Sequence, residues 1–182
     1  MNIPCILENQ RKYFRSGATL SVDHRIRMLK RLRAAIDQYE AEIAAALRAD
    51  LGKSDFEGFM CEIGMARSEL SYMIRHTRRF AREKTVYTPL AQFASRSFQK
   101  PCPYGNVLIM SPWNYPFLLT IGPLANAIAA GNTAIVKPSA YAPATGELIR
   151  RLLSGCFEPA YVAVVTGGRQ ENAFLLEQKF DY

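Results

Sequence analysis

Three short apolar runs constrain this chain more than any other feature. Val107-Leu-Ile-Met110, Thr133-Ala-Ile-Val136 and Tyr161-Val-Ala-Val-Val165 are continuous rather than alternating. A strand buried on both faces reads this way, whereas a strand with one wet face alternates. Between the runs lie two segments of helical composition. Pro116 to Ala130 carries an expected kink or break at Gly122-Pro123, and Pro143 to Leu153 has proline in its first turn. Gly167-Gly168 then make a turn, and Glu171 to Lys179 begin another helix. Strands spaced by helices require a parallel sheet with right-handed crossovers. The expected fold class is therefore α/β: N-terminal helices plus the first half of a doubly wound (Rossmann-like) parallel sheet. Its third strand is left without a following neighbour unless the strand order places it inside.

The N-terminal hundred residues follow a different pattern. Residues 21–51 read as one amphipathic helix, with Val22, Ile26, Leu29, Leu32, Ile36, Tyr39, Ile43 and Leu47 in steps of three and four. Ser21 is its expected N-cap and Gly52 its stop. The capping box Ser54-x-x-Glu57 starts a second helix carrying Phe59, Ile63, Ala66, Leu70, Met73 and Ile74 on one face. That helix ends in a basic run from Arg75 to Lys84. Thr85–Pro89 and Ser95–Gln99 alternate between turn-formers and predict two short strands of an extended arm. Three regions result: a helical region 1–84, an arm 85–104 and an α/β region 105–182.

Composition excludes several function classes. Of the 182 residues 49% are apolar and 21% charged, so the chain can bury a core. The net charge of +7 lies wholly in residues 1–100, where 18 basic residues face 11 acidic ones. Residues 101–182 balance at five of each. No stacking motif accompanies the basic run, so no nucleic-acid partner is expected. No apolar run reaches the ~20 residues of a membrane span, and the N-terminus lacks a secretory pattern. Four dispersed cysteines (Cys5, Cys61, Cys102, Cys156) and two histidines predict neither a disulfide scaffold nor a metal site. A cytoplasmic setting is the expectation.

Ligands of open α/β sheets sit beyond the carboxyl ends of the strands. Three segments fall there: Ser111-Pro-Trp-Asn-Tyr-Pro116, Lys137-Pro-Ser-Ala140 and Thr166-Gly-Gly168. Taken singly, each has an ordinary reading. Asn114 reads as a helix cap, Trp113 as packing surface, Lys137 as a solvated lysine and Gly167-Gly168 as a turn. No GxGxxG or P-loop is present.

Taken together they are more specific. Ser111-Pro-Trp-Asn-Tyr-Pro116, followed by Gly131-Asn-Thr-Ala-Ile-Val-Lys-Pro-Ser139, resembles the aldehyde dehydrogenase superfamily. Gln10-Arg-Lys-Tyr-Phe-Arg-Ser-Gly-Ala18, Asp50-Leu-Gly-Lys53, Thr88-Pro-Leu-Ala-Gln-Phe93 and Leu176-Glu-Gln-Lys-Phe-Asp-Tyr182 are similar to its class 3 branch. The resemblance implies oxidation of an aldehyde substrate to a carboxylate with NAD or NADP. Family members use a cysteine nucleophile and a glutamate general base. The resemblance implies that Asn114 is catalytic, its side-chain amide holding the oxyanion. It also implies that Lys137 binds the adenosine ribose, that Ser139 is a cofactor-binding residue, and that Ser111 and Trp113 lie along the cofactor. The 85–104 arm resembles the family's oligomerisation strands, which implies a homodimer.

The resemblance further implies that the chain corresponds to the first two-fifths of a longer enzyme. It would end before the nucleophilic cysteine and the base, so this chain alone is expected to be inactive. A truncated remnant acting as a nucleotide-binding or protein-interaction module is the alternative. Ala140 stands where the family usually has a ribose-binding glutamate, which predicts tolerance of NADP. Apolar strand faces without their full cover predict self-association.

Overall fold

The computed structural model describes residues 2–182. Helix α1 (Ile3–Arg15) opens on an Asn2 cap, whose Oδ1 accepts from the Cys5 amide. The single helix expected over 21–51 is two: α2 (Val22–Gln38), capped by Ser21, and α3 (Glu40–Leu51). The break is at Tyr39, whose ψ of 8° turns the axis. It lets α2 pack on the next long helix while α3 reaches a later one. Gly52 ends α3 in the left-handed region, with φ of 68°, a conformation most side chains resist.

Ser54 caps the expected second helix through the Glu57 amide. That helix is not uniform. A short α4 (Asp55–Gly58) widens into a π turn over Phe59–Ile63, then continues as α5 (Gly64–Phe80). The wider turn buries the adjacent residues Glu62 and Ile63 together. The arm has less strand than expected. Only β1 (Lys84–Thr85) and β2 (Phe98–Gln99) pair, antiparallel, with a single 3₁₀ turn at Leu90–Gln92 between them.

The three apolar runs form a parallel sheet as their composition requires. It consists of β3 (Asn106–Met110), β4 (Thr133–Lys137) and β5 (Val162–Val164), in the order β3-β4-β5. Asn106 lies opposite Thr133, and Ala134 opposite Val162. The crossovers are α6 (Leu118–Ala130), which runs through Pro123, and α7 (Pro143–Cys156). A last helix, α8 (Arg169–Leu176), starts two residues earlier than expected and ends sooner.

Both faces of the sheet are covered. Val107, Ile109, Val136, Val162 and Val164 join the large core beneath α2, α3, α5, α6 and α7. Ile135, Ala163 and Val165 point the other way, against Ile3 and Leu7 of α1 and Leu175 of α8. The third strand therefore does sit at an edge, yet these flanking helices bury it. On the opposite edge the C-terminal tail runs beside β3: Asp181 N donates to Asn106 O, and Leu108 N donates to Tyr182 O.

Gln10 ties α1 to the sheet. It is wholly buried, its Nε2 donating to Ala134 O at 2.8 Å and Pro159 O at 3.1 Å. Its Oε1 accepts from Asn106 Nδ2 at 3.0 Å. Gln10→Leu preserves the volume but strands buried polar groups, so unfolding in urea is expected to show a loss of about 3 kcal/mol. A loss below about 0.5 kcal/mol, the level of an ordinary surface change, would refute this role.

Candidate functional site

The carboxyl ends of the three strands open into a groove of about 520 Å³. Ser111, Lys137, Ser139, Tyr141, Arg169 and Asn172 are among its lining residues. A recess of about 220 Å³ shares Pro138, Ser139 and Ala140 with the groove and extends to Gly146 and Gly167. Parallel strands direct all their outgoing loops to this one end, where ligands of open α/β sheets sit.

Lys137 is not the solvated lysine that its position suggests. It is 2% exposed, at the end of the fully buried β4. Its Nζ donates to Pro138 O at 2.9 Å and Gly167 O at 2.8 Å. Burial pushes its pKa below the usual lysine value, and the Glu171 charge acts in the opposite direction. The Gly167-Gly168 turn is shaped around that glutamate. Gly167 has a φ of 137°, and a Cβ there would lie 2.4 Å from Glu171 Cδ. Gly168 N donates to Glu171 Oε2 at 2.6 Å.

The other expected residues fall into three situations. Ser139 accepts from the Tyr141 amide at 3.2 Å, and Ala140 is exposed beside it. Ser111 is buried, with the Thr120 hydroxyl 2.6 Å from its Oγ, and its backbone amide extends the sheet by donating to Lys137 O. Trp113 is 55% exposed and does not pack into the core. The groove brings Ser111, Lys137 and Ser139 together, while Trp113 and Asn114 occupy the exposed turn that follows β3.

Asn114 does not cap α6. The helix starts at Leu118 without a local side-chain cap, and the Glu62 carboxylate takes its place. Glu62 Oε2 accepts from Phe117 N at 2.8 Å and Leu118 N at 3.2 Å. Asp50 does the same for α7, accepting from Ala144 N at 3.0 Å and Thr145 N at 2.7 Å. An anionic ligand can bind at free helix N-termini, but here protein carboxylates already hold the opening amides of α6 and α7. Lys137 and Arg169 are the cationic groups that line the groove.

Sequence reasoning missed Arg169, Asn172, Lys53, Glu62 and Asp50. The first two were within reach, since they follow the third strand at the functional end of the sheet. Asn172 Oδ1 is buried without a hydrogen-bond partner among the described residues. The capping carboxylates act over 55 residues or more in sequence, which no local pattern signals. None of the four cysteines lines the groove. Cys156 is buried, and that burial pushes its thiol pKa up, away from reactivity.

Comparison with known proteins gives a consistent result. The aldehyde dehydrogenase family profile matches residues 2–180. The chain is 40% identical over 174 residues to 4,4'-diaponeurosporen-aldehyde dehydrogenase of Staphylococcus aureus, covering 96% of this chain and 38% of that protein. It is 39% identical over 171 residues to aldehyde dehydrogenase family 3 member H1 of Arabidopsis thaliana, covering 94% of this chain and 35% of that protein. The substrate-bound structure of Staphylococcus aureus AldH superposes with a TM-score of 0.96 at 39% identity, over 100% of this chain and 40% of that one. GapN from Methanocaldococcus jannaschii, complexed with NADP, shares the fold with a TM-score of 0.78 at 20% identity, over 91% of this chain and 36% of its own. The chain thus spans well under half the length of these relatives.

Glu171 provides a pH test of the groove. Hydrogen bonds from its own amide and from Gly168 hold its carboxyl below the ordinary 4.5, helped by the Lys137 charge. The unfolded chain therefore binds more protons in acid. The stabilisation is present above 4.5 and lost as pH falls through the lower folded value. The Glu171 carboxyl and the Gly168 amide are expected to titrate together below 4.5 in NMR, and Glu171→Gln is expected to remove that step. A Glu171 carboxyl titrating at its ordinary value would contradict the arrangement.

Proposed function

We propose that this chain, which belongs to the aldehyde dehydrogenase family, is the cofactor-holding portion of an enzyme that oxidises aldehydes to carboxylates. The family uses NAD(P) and acts on aldehydes. One observation carries the reading. The buried Lys137 ammonium and the unpartnered Asn172 Oδ1 share one groove at the end of the sheet. Two backbone carbonyls use two of the three Lys137 N–H donors, leaving a third for a ligand. A lysine donor, an amide acceptor and the Ser139 hydroxyl match the hydroxyls of an adenosine ribose. Ser111 and Trp113 would lie along the rest of the cofactor.

Bound NAD(P) supplies the hydride acceptor. The protein's part at the reacting carbon falls to Asn114, whose side-chain amide would donate to the developing oxyanion. A fixed donor of this kind is worth about 3–4 kcal/mol in the transition state. None of Cys5, Cys61, Cys102 and Cys156 stands in the family's nucleophile motif, which supports a chain without its own nucleophile. The chain alone is accordingly inactive. We further propose homodimerisation through the 85–104 arm, on which Tyr87, Leu90, Phe93 and Phe98 are exposed. The helical region 1–84, the arm and the α/β region 105–182 are the proposed units. No helix among the described residues is long and apolar enough to cross a membrane. The four free thiols support a reducing, cytoplasmic setting.

Ala140 and Arg169 favour acceptance of NADP. Ala140 offers no carboxylate to repel a 2′-phosphate, and Arg169 adds a cation to the same groove. Calorimetric titration of the chain with NAD and NADP tests the proposal. Lys137→Met is expected to weaken both by tenfold or more, corresponding to about 1.5–3 kcal/mol for a charged hydrogen bond. Ala140→Glu is expected to shift preference towards NAD. Unchanged affinity in the first variant, or unchanged preference in the second, would refute the assignments. NAD(P)H production from an aldehyde by the unaided chain would refute the claim of inactivity.

A further inference from the structure

We propose that Lys53 and Glu62 are positioning residues that aim Asn114 by clamping the turn on which it sits. The functional meaning of the clamp rests on the reading of Asn114 as the oxyanion donor. The clamp itself stands on geometry.

Lys53 and Glu62 form a buried ion pair, 2.5 Å between Nζ and Oε1, with side chains 8% and 0% exposed. Every polar atom of the pair is engaged. Besides Glu62, Lys53 Nζ donates to Asn114 O at 3.1 Å and lies 4.2 Å from the centre of the Tyr115 ring. The other Glu62 oxygen accepts from the amides of Phe117 and Leu118. Two side chains therefore hold the turn at both ends, by a carbonyl at residue 114 and by amides at 117 and 118. Asn114 itself stays exposed.

The origin of the two groups supports a dedicated arrangement. Lys53 follows the left-handed Gly52, which ends α3 and redirects the chain. Glu62 projects from the π turn, a local departure from helical geometry that recurs at functional sites. A turn between a strand and a helix has no ladder of its own to fix it. An amide donor stabilises a developing charge only if it is already in place. Stability alone would not select this solution, because a well-packed apolar pair often serves as well as a buried ion pair.

The experiment separates positioning from stability. Lys53→Met alone leaves Glu62 as an unmatched buried charge, and the chain is expected to lose stability and lose the ordered turn. The double variant Lys53→Met/Glu62→Gln replaces the ion pair by neutral groups of similar volume. It is expected to recover the thermal midpoint, because no buried charge remains unpaired. Methionine cannot donate to Asn114 O, so the turn is not expected to recover. Trp113, the sole tryptophan, and the Asn114 side-chain amide report on it directly. Their NMR resonances are expected to shift and broaden in the double variant, while those of Ile135 and Val164 stay in place.

Unchanged Trp113 and Asn114 resonances in a folded double variant would overturn the proposal. Hydrogen exchange of the unmodified chain decides the case if neither variant folds. The amides of Phe117 and Leu118 are expected to be strongly protected, and exchange at the rate of an open turn would overturn the clamp. None of these readouts involves nucleotide binding at Lys137, so failure of the clamp and failure of the cofactor reading are told apart.

Discussion

Unpaired amides at helix N-termini organise this molecule. Any helix opens with backbone N–H groups that have no partner within it. Helices α6 and α7 have no local side-chain cap for theirs. Both are capped from the segment between Asp50 and Glu62, at the junction of α3 and α5. A charged hydrogen bond of this kind is worth about 1.5–3 kcal/mol. By contrast, an exposed pair such as Lys12–Glu8 adds little, because water screens both charges. The N-terminal helices thus do more than cover one face of the sheet. They complete the two crossover helices at the end of the sheet where a ligand would bind.

That arrangement has an electrostatic consequence. A doubly wound fold can offer a helix N-terminus to an anionic ligand. Here carboxylates hold the first amides of α6 and α7, while Glu171 engages the Gly168 amide ahead of α8. The groove must draw positive charge from side chains instead, and Lys137 and Arg169 provide it. A buried lysine is costly unless its donors are matched. Pro138 and Gly167 carbonyls offset that cost, and the positive φ of Gly167 places its backbone within reach. The lack of a GxGxxG loop in the sequence follows the same logic, since that loop serves a helix terminus that is free to accept phosphate.

The strands were legible because burial on both faces leaves a continuous apolar run, as the wholly buried Thr133–Val136 shows; Val107–Met110 reads the same way although Leu108 is only half-buried and Met110 is exposed. The end of the sheet at which the groove opens followed from topology. The break at Tyr39 was not legible, because Ile36, Ile43 and Leu47 keep helical phase across it and all are buried. The role of Asn114 as a cap was misread for a different reason. Its position before Pro116 satisfies the local rule, but Glu62 reaches the same amides from 55 residues away. Lys53 and Lys137 show the limit most clearly. Nothing adjacent to either lysine marks it as buried, because burial is set by which segments converge around it.

The end of the β3–β4 ladder explains why a clamp is needed at all. The tail pairs with β3 at Asn106 and at Leu108, the latter through Tyr182 O. Beyond that point Met110 is 38% exposed and faces a groove of about 510 Å³. On the inner side, ladder contacts continue to Ser111, whose amide donates to Lys137 O at 3.2 Å. Ser111 is fixed, whereas Trp113 and Asn114 lie beyond the last ladder bond. Rigidity at Asn114 therefore cannot be inherited from the sheet. It has to come from groups that reach the turn through space, and Lys53 and Glu62 are placed to provide it.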